Sequence, residues 1–164
     1  MNKTCIVVAD AGLARFYDVE EVESPRLQLK LVERAVLTND LDLKSRGESV
    51  TGRVRTETNT DRGSGPVHPM GEQRERHRVE LDRRFGLEIA RRAAEMTKDW
   101  KEGAVVFVAE PRFLGLTREP LRTALHRGIE LKELAKDYAH LTAPELHDHL
   151  AVNQFLPVRR KDEI

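Results

Sequence analysis

A single α/β domain, with a mixed sheet whose central strands are parallel and whose two faces carry helices, is predicted by three observations. Two runs, Cys5-Ile6-Val7-Val8-Ala9 and Ala104-Val105-Val106-Phe107-Val108-Ala109, are continuously apolar and rich in β-branched residues, the pattern of strands covered on both faces. Between them, Leu81, Phe85, Ile89, Ala93, Met96 and Trp100 recur at spacings of three or four, so a long helix supplies the crossover that parallel strands require. The 164 residues suit one core rather than two, and residues 1–164 are read as one domain.

The first strand is placed at Cys5–Ala9. Asp10-Ala11-Gly12 turns the chain, and Ala14, Phe16 and Asp18 alternate with Arg15, Tyr17 and Val19 in a second strand hairpinned to the first. A polar turn around Ser24-Pro25 leads to Leu27, Leu29 and Leu31, alternating with Gln28, Lys30 and Val32 as a third strand with one buried face. Residues 38–70 hold Gly47, Gly52, Gly63, Gly65, Pro66 and Pro69 among polar residues; such a composition buries too little surface to offset ordering entropy, so a long mobile loop is expected. The long helix is read from Glu72 to Trp100, about 40 Å, with first turns that project beyond the core. After the strand at 104–109, Phe113, Leu114, Leu116, Leu121 and Leu125 mark a second helix, with a kink or restart at Pro120. Ile129–Leu134 alternates as an edge-like strand, and Thr142-Ala143-Pro144-Glu145 is a capping box opening a short helix with Leu146 and Leu150. The element order is β-β-β-α-β-α-β-α.

Composition bounds the function. Twenty-eight basic side chains balance 28 acidic ones, which argues against whole-surface binding to nucleic acid or anionic membrane while allowing local patches. The lone Cys5 excludes an intrachain disulfide and any Cys-x-x-Cys site. The apolar run before Asp10 is too short for a signal peptide or membrane span, so cytoplasm is the expected compartment. Gly-x-Ser-x-Gly, Walker, dinucleotide and His-Glu-x-x-His patterns are missing. Neither a metal nor an organic cofactor is expected.

Four groups of side chains are candidates for chemistry. Asp10, with Asp18 or Glu20 as partner, follows the first strand as paired carboxylates do in two-metal phosphodiester cleavage, although an Asp-Ala-Gly turn equally suits a carboxylate bonded to its own backbone. His140, His147 and His149 superficially resemble a ligand set, but i and i+2 on a helix point about 200° apart, and helix surface and capping explain them better. Cys5, inside a strand, is read as a small apolar residue. The arginines carry more: Arg74, Arg76, Arg78, Arg83, Arg84, Arg91 and Arg92 face four acids (Glu75, Glu80, Asp82 and Glu88) between positions 74 and 92, a surplus of three positive charges on a neutral chain. An arginine face beside a Gly-rich segment suits phosphate contact. Glu80/Arg84 and Glu88/Arg92 are i,i+4 support pairs that account for part of the pattern.

Three segments carry a resemblance: Ala9-Asp10-Ala11-Gly12-Leu13-Ala14-Arg15-Phe16-Tyr17, then Val106-Phe107-Val108-Ala109-Glu110-Pro111-Arg112-Phe113-Leu114-Gly115-Leu116, then His140-Leu141-Thr142 with Leu146-x-x-His149-Leu150. Over nearly the whole chain they resemble the bacterial host-attachment protein family, named for a phenotype and not for a reaction. That family is similar to the middle domain of archaeal and eukaryotic peptide release factors and of Pelota. Their Gly-Gly-Gln loop precedes the long helix and reaches the peptidyl-tRNA ester. The matching place here reads Gly71-Glu72-Gln73, with a carboxylate where the second glycine would stand, which adds bulk and repels RNA phosphate. The resemblance implies a ribosome- or structured-RNA-associated translation factor without independent catalysis, binding through Gly71, Gln73, Arg74, Arg76, Arg78, Arg83 and Arg84. The alternatives are a peptidyl-tRNA hydrolase acting through Gln73, a nuclease acting through Asp10, and an attachment module with a protein partner.

Overall fold

The computed structural model describes residues 3–23, 27–39 and 67–159, with the backbone alone at 67–72. The elements run β1 (Lys3–Ala9), β2 (Leu13–Glu23), β3 (Leu27–Thr38), α1 (Val67–Thr97), β4 (Gly103–Ala109), α2 (Pro111–Ala124), β5 (Ile129–Ala135) and α3 (Ala143–Val152). They form one five-stranded sheet in the order β3-β2-β1-β4-β5. β1 pairs antiparallel with β2 and β2 with β3, whereas β1–β4 and β4–β5 are parallel. The α/β class, the element order and the mixed sheet with a parallel centre are therefore as the sequence predicts.

The two apolar runs become the central pair because each needs cover on both faces, and the helices provide it. Cys5, Val7, Ala9, Val105 and Phe107 pack with Phe85, Ile89 and Ala93 of α1 and Phe113 and Leu121 of α2. Ile6, Val8, Val106 and Val108 turn to the other face, against Leu146 and Leu150 of α3. All five residues from Cys5 to Ala9 are at most 1% exposed. α1 and α2 approach closely where Gly86 meets Thr117: a Cβ there would lie 3.0 Å from the Thr117 hydroxyl, so the missing side chain sets the interhelical spacing. β2 is covered on both sides, with Phe16 and Tyr17 both buried, and β3 carries one extra residue where the register shifts at Phe16/Tyr17, a β-bulge.

The structure corrects the sequence expectation at several points, among them the end of α1, which is Thr97 and not Trp100. α1 begins at Val67, not Glu72, and Pro69 is tolerated because the first turn leaves its N–H positions without helical partners. β3 continues to Thr38. α2 runs as one helical element through Pro120, with no restart. His147 is not on a helix surface: it is 2% exposed, and its Nε2 lies 2.9 Å from the Pro157 carbonyl oxygen, tying the segment after α3 back onto it. The turn at Ser24-Pro25 and most of the expected 38–70 loop lie outside the described residues.

Candidate functional site

Both parallel central strands end in alanine followed by an acid, and both acids bond to the backbone that follows. Asp10 Oδ1 accepts from the N–H groups of Gly12 and Leu13, each at 2.8 Å. Glu110 caps α2, accepting from Phe113 N at 2.7 Å and Arg112 N at 3.1 Å, with Pro111 supplying the first helical turn. Asn39 ties the end of β3 into the same region, donating its Nδ2–H to Ala11 O at 2.9 Å. From β1 the chain departs toward β2, and from β4 toward β5 on the opposite side. At the carboxyl ends of these two strands the chain therefore leaves in opposite directions along the sheet.

α1 leads into β4 through only residues 98–102, so it runs antiparallel to β4 and its start stands at that same end. Its first buried residue among those described is Leu81. The 14 residues from Val67 to Glu80 thus extend about 21 Å, and every described side chain from Gln73 to Arg78 is exposed. Arg74, Arg76 and Arg78 make no ion pair among the described residues, and the first turn holds no acid. Arg83 and Arg84 are different: both lean on Glu80, at 3.9 and 3.4 Å. Gly71 and Gln73 lie inside the helix and not on a loop before it, so their backbone follows helical geometry, unlike a Gly-Gly-Gln loop.

The other sequence candidates are dispersed. Asp10 stands at the hairpin end, while Asp18 pairs across from Cys5, four rungs below the Ala9/Ala14 pair, more than about 13 Å away. Asp18 and Glu20 are engaged by Arg34. Among the described residues no group of three or more His, Cys, Asp or Glu could hold a metal ion. His149 packs against Tyr138 with the two rings tilted, their centroids 4.8 Å apart. Burial, and after it the Asp18 carboxylate, pushes the Cys5 thiol up to about 12, far from a nucleophile's range.

Sequence reasoning missed Asp82. This carboxylate on α1 is 0% exposed; its Oδ2 accepts from Arg112 Nη1 at 2.8 Å, and its Oδ1 is buried with no partner among the described residues. The signal was present, since Asp82 precedes Phe85 by three and Ile89 by seven and therefore lies on the buried stripe. Its partner comes from Glu110-Pro111-Arg112, 30 residues away, where no local pattern reaches. The pair fastens the base of the projecting arm to the start of α2.

No helix among the described residues is long and apolar enough to cross a membrane. No curated protein matches the chain. A family model described as "Protein required for attachment to host cells" matches residues 5–150, from β1 to α3.

Proposed function

Because the chain belongs to this host-attachment family, whose description names a requirement and no reaction, we propose that it acts by binding, with the projecting start of α1 as an RNA-contacting arm. The carrying observation is the exposed run 73–78 with Arg74, Arg76 and Arg78 unpaired among the described residues. All three lie beyond the first turn of a helix that begins at Val67, so they project as guanidinium charges from the exposed side of the arm. Guanidinium groups suit bidentate contact with phosphate oxygens, and three of them along one exposed arm favour a polyanion. The ligand is structured RNA or the ribosome, and no catalytic step is assigned: Asp10 serves its own turn, and Gln73 lies within a helix that lacks the second glycine.

The competing reading is a protein partner reached in attachment, which the family description favours. Binding to purified ribosomes and to structured RNA across a salt series separates the two. Changing Arg74, Arg76 and Arg78 together to Ala should weaken binding and flatten the logarithmic salt slope by about 0.7 to 0.9 for each phosphate that is no longer neutralised. Melting should stay within a few degrees of the parent, since exposed charges contribute little to stability. Equal affinity and slope in parent and variant would discard the RNA reading and leave the protein partner in its place.

A further inference from the structure

The middle of α1 carries charges in a self-complementary order. At 100° per residue, Arg84, Glu88, Arg91 and Glu95 fall within about 60° of one another, on the side turned away from the buried Ala93, and all four are exposed. Positions equidistant from the point between Ile89 and Ala90 have opposite signs: Arg84 answers Glu95, and Glu88 answers Arg91. An antiparallel, two-fold pair of helices performs this exchange. We propose that this outward strip of α1 is an interface between two copies of the chain, held by two Arg84–Glu95 and two Glu88–Arg91 pairs across the axis.

Three observations support a second copy as the occupant. Glu88 and Arg91 have opposite charges three and four residues away, yet neither they nor Arg92 form an ion pair among the described residues. Arg84 and Glu95 are held only by exposed neighbours on their own helix or just after it, Glu80 and Lys98, pairs weak enough to exchange. Beside the strip lies an open groove of about 330 Å³ lined by Leu37, Glu88, Arg91, Arg92 and Glu95, with Leu87 47% exposed nearby. Leu37, Leu87 and the aliphatic stems of the arginines supply apolar area to bury. The charges set register and direction, since parallel packing would oppose like with like. A chain with no net charge adds no overall repulsion.

The proposal does not depend on what the arginine arm binds. Its test is sedimentation equilibrium of the full chain and two charge-reversed variants. Arg84→Glu with Arg91→Glu makes the strip wholly acidic, and Glu88→Arg with Glu95→Arg makes it wholly basic. The parent should show a concentration-dependent dimer, and each variant alone should associate at least about tenfold more weakly. An equimolar mixture should recover a one-to-one heterodimer. Both variants should retain the parent's helical circular dichroism, because every changed side chain is exposed. A parent that stays monomeric up to about 1 mM, variants that dimerise as the parent does, or a mixture that forms no heterodimer would each overturn it.

Discussion

Removing the Arg112 side chain tests the least expected interaction in the molecule. In Arg112→Ala the Asp82 carboxylate, fully buried in the parent, keeps an Oδ1 without a partner among the described residues and loses the guanidinium 2.8 Å from its Oδ2. Breaking a buried pair from one side costs about 3 to 5 kcal/mol. The low end applies, because Arg112 is 48% exposed and its removal lets water approach. For 164 residues the unfolding entropy is about 0.34 kcal/mol per kelvin, so about 3 kcal/mol lowers the melting temperature by about 9 °C. The double variant Asp82→Leu with Arg112→Met should recover most of that loss, because apolar residues need neither desolvated charge nor a partner. Calorimetry of parent, single and double variants is the assay. A single variant melting within about 2 °C of the parent, or a double variant no better than the single, would refute the view of Asp82 as a desolvated charge compensated by Arg112.

Three further outcomes follow from the geometry. Cys5, held up to about 12 by burial and by Asp18, should not react with Ellman's reagent at pH 8 in the folded protein and should react fully in denaturant. Thr142 accepts from Glu145 N while Glu145 accepts from Thr142 N, so Thr142→Ala should cost about 1 kcal/mol by thermal melting. The Thr142 side chain and backbone hold the Glu145 carboxyl below its usual value. Its contribution is therefore present above the ordinary carboxylate range and lost as pH falls through the lowered folded value, so parent and Glu145→Gln melting curves should converge in acid. A gap that persists or widens there would contradict the capping role.

The fold was legible wherever hydrophobic pattern alone decides it. Cys5–Ala9 and Ala104–Ala109 could only be strands covered on both faces, and the stripe from Leu81 to Met96 could only be a helix on one of them. The projecting turns before Leu81 fully bury no described side chain, so they show no periodicity, and the Gly and Pro residues before Glu72 argued for a loop where the helix already runs. The arginine arm itself could be read from charge counting. Asp82 could have been placed on the core stripe by its spacing, but a carboxylate is by default solvated, and only the packing of α2 on α1 supplies the guanidinium that changes this. His147 was misjudged for the same reason: the chain that covers it lies ten residues downstream.

The position of β1 in the middle of the sheet has a consequence for how the chain reaches this state. β1 finds β2 within a few residues, but its other neighbour begins a hundred positions later, Lys3 lying opposite Gly103. Loop closure over that separation is slow relative to hairpin formation. During synthesis the first three strands can therefore assemble as a meander while the β1 edge, apolar from Cys5 to Ala9 after Lys3 and Thr4, waits unpaired, the kind of edge on which other chains add. Completion of the domain is thus gated by the arrival of β4, and crowding of nascent copies before that moment favours aggregation over folding.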